Sequence, residues 1–134
     1  MTLLIAGLII FLGIHSVSIV APAWRDAQLA RRGERAWKGA YSVVSLIGFA
    51  LLLYGYGAAR QSSPILYAPP AAMRHVALLL MLPGFPLLLA AYLPGRIQRA
   101  TRHPMLLAIM IWALAHLLAN GTPADVVLFG AFLA

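Results

Sequence analysis

Cysteine is absent from this 134-residue chain, and acidic residues are scarce, with three Asp or Glu against ten Lys or Arg. The lack of cysteine excludes disulfides, thiolate metal sites and cysteine nucleophiles. Charged residues make up only 10% of the chain, against about 25% in a typical soluble domain, whereas 63% are hydrophobic. A chain of this length cannot bury that much apolar surface in one soluble core. The composition therefore predicts an all-α, polytopic membrane protein and excludes a disordered chain.

Apolar segments long enough to form membrane helices recur along the sequence. Four are expected to span the bilayer, at about 2–21, 40–59, 71–93 and 103–119, because about 20 residues cross the ~30 Å hydrocarbon core. A fifth begins near Pro123, where Asp125 is expected to cap it, and only twelve residues remain before the sequence ends. We therefore expect a transmembrane helix bundle of four full spans plus a partial fifth, in one domain over 1–134 that is truncated at its C-terminus.

Basic residues are concentrated in two of the four connections. Residues 22–39 and 94–102 hold eight of the ten, and the other two connections hold two. Basic loops of membrane proteins face the cytoplasm, so the N-terminus is expected on the periplasmic side. The same rule explains the net charge of +7 without nucleic-acid binding. The first connection is also expected to form a short amphipathic helix on the bilayer surface, with Asp26 and Glu34 paired to nearby arginines.

Two local patterns predict how the helices are shaped and packed. Pro83 and Pro86 lie inside the third segment, where the loss of two backbone donors predicts a kink or a short unwound stretch. Small residues allow close helix contacts in lipid, and in the first two segments these are Gly7, Gly13, Ser45, Gly48 and Gly55.

Histidines are the candidate functional residues. His15 and His116 lie well inside predicted spans, where an ionisable side chain is costly. Trp112 and Asn120 share the helix face of His116, so Asn120 is expected to orient the imidazole and Trp112 to pack on a flat ligand. Two imidazoles on different helices suit a bis-histidine haem. An interhelical hydrogen bond is the simpler explanation for each, and depth in the membrane also permits a pair of His75 with His116.

Several motifs resemble the NnrU family of bacterial inner-membrane proteins. They are Phe11–Ser16, Ala21–Asp26, Gly33–Ser42, Gly55-Tyr56, Thr101–Pro104 and Trp112–Gly121. The family is associated with denitrification and is related to 15-cis-zeta-carotene isomerase, a membrane haem b enzyme. The resemblance implies haem b as cofactor, with His15 and His116 as axial ligands. Arg25 and Arg102 are expected to pair with the haem propionates, because a carboxylate at the interface needs a cationic partner.

Three functions are compatible with these features. The first is haem-dependent redox or isomerase-like chemistry on a small or lipophilic substrate, linked to nitrogen-oxide metabolism or to carotenoid isomerisation. The second is a non-enzymatic membrane partner of a respiratory complex. The third is a methyltransferase, because Arg102-His103-Pro104 resembles a motif of the isoprenylcysteine carboxyl methyltransferases, which bind S-adenosylmethionine. The acidic C-terminal motif of that group is missing, which disfavours the third.

Overall fold

The computed structural model describes residues 1–134, which form helices and no strands. The helices are α1 Thr2–Val20, α2 Pro22–Arg32, α3 Glu34–Ser62, α4 Ala71–Ala90, α5 Arg96–Thr101, α6 Pro104–Ala119 and α7 Pro123–Leu133. The predicted all-α class is confirmed, and the five predicted apolar segments correspond to α1, α3, α4, α6 and α7. The chain divides into two compact units, Met1–Ser62 and Ser63–Ala134, each with its own packing.

Three helices have the length and the composition to cross a membrane, namely α1, α3 and α4. The remaining apolar helices are shorter, with 16 residues in α6 and 11 in α7. At 1.5 Å per residue α6 is about 24 Å long, which is less than the ~30 Å hydrocarbon core. Three of the predicted spans are thus confirmed as long enough to cross a membrane, and the fourth span and the partial fifth stay predictions.

In the first unit, α1 and α3 pack as an antiparallel pair at positions where glycines let the backbones approach. The close contacts join Gly7 to Leu52, Phe11 to Gly48 and Leu4 to Gly55. A Cβ atom on Gly48, for example, would lie 2.8 Å from the main-chain nitrogen of Phe11. Small residues therefore set the distance and the register of the two helices, as predicted.

Gly13 does not take part in this contact, so the prediction is wrong for that residue. A Cβ atom at Gly13 would meet nothing within 4 Å. Gly13 lies six residues after Gly7, and at ~100° per residue it faces well away from the side that contacts α3.

The connection between α1 and α3 contains the predicted amphipathic helix, α2. Pro22 occupies its first turn, and the helix ends at Gly33, whose φ of 83° lies in the left-handed region that glycine tolerates. Arg25 and Asp26 form an ion pair at 3.2 Å, as expected.

The third helix, α3, begins about six residues earlier than predicted. Glu34 pairs with Lys38 at 2.6 Å rather than with an arginine, because the two residues lie one turn apart on the same helix. The first turns of α3 are charged, so a prediction from apolar runs alone places the start of the helix too late.

In the second unit, α4 packs along α6, and α6 also packs on α7. The expected unwound stretch in α4 is wrong, because the helix continues through Pro83 and Pro86. Gly84 lies buried between the two prolines, and a Cβ atom there would be 3.8 Å from Ile111 of α6. Packing against α6 thus holds the helical backbone where two hydrogen bonds are missing.

The connection before α4 folds over the C-terminal end of α6. The main-chain nitrogen of Leu66 donates to the carbonyl oxygen of Gly121 at 2.7 Å. The hydroxyl of Tyr67 donates to the carbonyl oxygens of Leu117 and Asn120. These bonds satisfy carbonyl groups that the end of a helix leaves without partners.

The next helix, α7, begins with a capping box. The main-chain nitrogen of Thr122 donates to a carboxylate oxygen of Asp125 at 3.0 Å, and the nitrogen of Asp125 donates to the Thr122 hydroxyl at 3.3 Å. The predicted capping role of Asp125 is confirmed, and this carboxylate is fully buried, with 0% exposure.

Candidate functional site

His15 projects from α1, and one of its two ring nitrogens is hydrogen-bonded to the helix backbone. Its Nδ1 lies 2.6 Å from the carbonyl oxygen of Phe11 on the previous turn. A carbonyl can only accept, so Nδ1 carries the proton and Nε2 keeps its lone pair for another partner. The rings of Phe11 and Tyr41 flank the imidazole, with centroids 4.3 and 5.3 Å away.

A cavity of about 340 Å³ opens beside this imidazole. Its lining includes Phe11, His15, Tyr41, Ser42, Ser45 and Phe49. The hydroxyl oxygen of Ser45 is buried and has no hydrogen-bond partner. An unpaired buried hydroxyl costs about 1–3 kcal/mol, so it is a polar contact that a bound molecule can complete.

A second, more polar cavity of about 590 Å³ adjoins the first, because Tyr41 lines both. Arg25 and Lys38 supply two cations to its lining, beside Glu34 and Trp37. Arg25, which was expected at the site from the sequence, therefore lines the cavity next to the one that His15 lines. Lys38 was not singled out, although it lies three residues before Tyr41 and thus on the same helix face.

His116 repeats the arrangement of His15 on α6. Its Nδ1 lies 2.7 Å from the carbonyl oxygen of Trp112, whereas the amide of Asn120 donates to the main-chain oxygen of His116 at 3.0 Å. Side chains on a helix point toward its N-terminus, so each of these side chains reaches the carbonyl of the preceding turn. The carbonyl of Trp112 therefore holds Nδ1 and orients the ring, and the role of Asn120 in orienting it stays a prediction.

Aromatic side chains from α7 cover this histidine. Phe129 stacks on the imidazole with centroids 4.7 Å apart, and it contacts Trp112 at 5.0 Å. Phe132 meets Trp112 edge-on at 5.7 Å. Neither phenylalanine was expected at the site from the sequence, although their spacing of three residues places them on one face of α7.

Two apolar cavities lie between α4 and α6, and His116 lines both. One measures about 400 Å³ and includes Arg74, Met81 and Asn120 in its lining. The other measures about 290 Å³ and includes Met81, Phe85 and Trp112. Arg74 and Met81 were not singled out from the sequence, because only the packing of α4 on α6 brings them to His116.

The other candidate residues lie apart from these cavities. Arg102 follows α5 with a φ of 57°, and His103 precedes α6, whose first residue Pro104 is about 18 Å along the helix from His116; neither residue lines the cavities. His75 also turns Nδ1 to its own helix, 3.1 Å from the carbonyl oxygen of Ala71, but it lines neither cavity beside His116. No three His, Asp or Glu side chains are grouped so that they can hold a metal ion.

A family model described as NnrU protein matches residues 3–134. The chain belongs to the NnrU family. The match covers both compact units, so His15 and His116 both lie within the NnrU region. No curated protein and no solved structure is significantly similar to this NnrU-family chain.

Proposed function

We propose that this NnrU-family protein binds haem b in a bacterial inner membrane, with His15 and His116 as iron ligands. The observation that carries the proposal is shared by the two residues. Each imidazole has Nδ1 bound to its own helix, which leaves Nε2 to coordinate, and each lines a cavity among aromatic rings. A fixed tautomer with a free Nε2 is what an axial histidine requires.

The surroundings of His15 fit a haem group. Apolar and aromatic side chains line its cavity, and the unpaired hydroxyl of Ser45 offers a polar contact. Arg25 and Lys38 line the adjoining cavity, and two cations there could pair with the two propionates. Arg25 is therefore the stronger of the two arginines proposed from the sequence, since Arg102 lies far along α6 from His116.

The hydrogen bond to the preceding turn does not by itself identify a ligand, because His75 makes the same bond. His15 and His116 differ from His75 in that each lines a cavity and packs against aromatic rings. The cavity and the aromatic contacts together favour His15 and His116 as ligands over His75, whose ring is hydrogen-bonded to its own helix.

When bound, haem supplies iron for one-electron or Lewis-acid chemistry. The chain would contribute the imidazoles of His15 and His116 to hold the iron and cations to pair with the propionates, and Trp112 and Phe129 pack against the His116 ring. Redox or isomerase-like chemistry on a small or lipophilic molecule follows from the family resemblance, in nitrogen-oxide metabolism or in carotenoid isomerisation.

We propose a membrane arrangement with the N-terminus in the periplasm. The basic residues of α2 and α5 then face the cytoplasm. In this arrangement α6 is the fourth span, and α7 is the partial fifth.

Purification in detergent tests the proposal. The chain should retain haem b at a fixed ratio to protein, measured by the pyridine haemochrome. A colourless preparation that still folds, and that co-purifies with a larger respiratory complex, would instead support the non-enzymatic partner.

A further inference from the structure

The two cavities between α4 and α6 lie end to end along one seam, and together they are called the groove here. Met81 and His116 line both of them. From this midpoint the groove extends toward Arg74 in one direction and toward Leu88 and Ala108 in the other. The residue numbers rise along α4 as they fall along α6, so the cavities follow the seam of an antiparallel helix pair end to end.

The groove is long, and its two ends differ in charge. Arg74 and Leu88 are 14 residues apart on α4, which corresponds to about 21 Å at 1.5 Å per residue. Arg74 is the only Arg, Lys, Asp or Glu in the lining, and it lies at one end. The opposite end, at Leu88 and Ala108, is wholly apolar.

We propose that this groove binds a long, single-chain apolar molecule that ends in a carboxylate. The carboxylate lies at Arg74, the chain passes Met81 and His116, and the far end reaches Leu88. An arginine and a carboxylate form short, charge-assisted hydrogen bonds, which gain strength in a surrounding of low polarity. Met81 suits the midpoint, because a flexible thioether adapts to chains of different shape.

This inference deepens the proposed function by naming a substrate class. It rests on that function in one respect, since the chain of the ligand passes the imidazole that we propose as an iron ligand. Binding in the groove does not itself require haem. Because haem on His116 would occupy part of the same lining, the groove measurements are made on haem-free as well as haem-loaded protein, and the two readouts then give separate answers.

Photo-crosslinking of the full chain in phosphatidylcholine nanodiscs tests the orientation. Two palmitate analogues are used, one with a diazirine next to the carboxylate and one with a diazirine at the chain end. The first should label peptides that contain Arg74 or Asn120, and the second should label peptides that contain Leu88 or Ala108. Uniform or reversed labelling would overturn the proposal.

Competition separates a fatty acid from a bilayer lipid. Excess unlabelled palmitate should abolish both labels, whereas phosphatidylglycerol added to the nanodiscs should leave them unchanged. If phosphatidylglycerol competes as well as palmitate, the groove is an ordinary lipid site and the proposal is wrong.

Substitution of the cation tests the charged end. Arg74→Gln should weaken palmitate binding about tenfold, the scale of a charge-assisted hydrogen bond. Arg74→Lys should retain most of the affinity, and Arg99→Gln on α5, outside the groove lining, should retain all of it. Unchanged affinity in Arg74→Gln, or an equal loss in Arg99→Gln, would contradict the role of Arg74. Protein that gives the oriented labels but takes up no haem from excess haemin would reject the haem proposal alone.

Discussion

The Nδ1 atom of His116 lies 2.7 Å from the carbonyl oxygen of Trp112, one turn earlier on α6. His15 stands in the same relation to Phe11 on α1, at 2.6 Å. In both cases the helix backbone, and not a neighbouring side chain, fixes the tautomer and turns Nε2 outward. The orientation of each imidazole is therefore set by its own helix.

Replacement of either proposed ligand should remove haem or change its coordination. His15→Ala or His116→Ala should lose most haem, or convert a six-coordinate low-spin spectrum into a five-coordinate one. His103→Ala is the matched control, because this exposed residue precedes α6 and lines neither cavity beside His116. A loss of haem in the control as large as in the two variants would contradict the assignment.

His75 tests the alternative pair. It lies in the same compact unit as His116 but lines neither cavity beside it, so His75→Ala should leave the haem spectrum nearly unchanged. If His75→Ala abolishes haem while His15→Ala retains it, the ligands are His75 and His116, and the assignment taken from the family resemblance is wrong.

The glycine contacts of α1 predict opposite effects at two positions. A methyl group on Gly7 would overlap the backbone of Leu52, so Gly7→Ala should lower stability by about 1–3 kcal/mol. Gly13→Ala meets open space and should be neutral or stabilising by up to about 1 kcal/mol, because alanine favours the helix. Thermal unfolding in detergent compares the two. Equal unfolding temperatures for both variants would argue against the α1–α3 contact.

Membrane topology can be tested with single cysteines in a chain that has none of its own. Cysteine at Gln28 or Gln98 should resist an impermeant thiol reagent in intact cells, since both lie among the basic residues of α2 and α5. Cysteine at Gln61, in the last turn of α3, should react. All three should react after the cells are broken. The reverse pattern in intact cells would reject a periplasmic N-terminus.

The sequence alone predicted most of the helices, because long apolar runs in a nearly uncharged chain have few other solutions. It misplaced the start of α3, where the ion pair of Glu34 with Lys38 extends the helix beyond its apolar part. It also predicted a kink or a short unwound stretch at Pro83 and Pro86, and the helix continues through both prolines. The first failure has a local cause, a pair of charges one turn apart outside the apolar run, whereas at the prolines a tertiary contact accompanies the continuous helix.

The candidate site was predictable only in part. His15 and His116 stand out because each is an ionisable residue in an apolar segment. Arg74 and Met81 do not stand out, since neither has an unusual sequence context and both reach His116 only through the α4–α6 seam. The aromatic cover of His116 likewise depends on the fold of α7 over α6.

The central claim is that this NnrU-family protein binds haem b through histidines. The reduced-minus-oxidised absorption spectrum of the detergent-purified chain tests it most directly. We predict a Soret band with resolved α and β bands on reduction, as expected for low-spin haem b with two imidazole ligands. A folded preparation that shows no haem absorption, even after incubation with excess haemin, would contradict the claim.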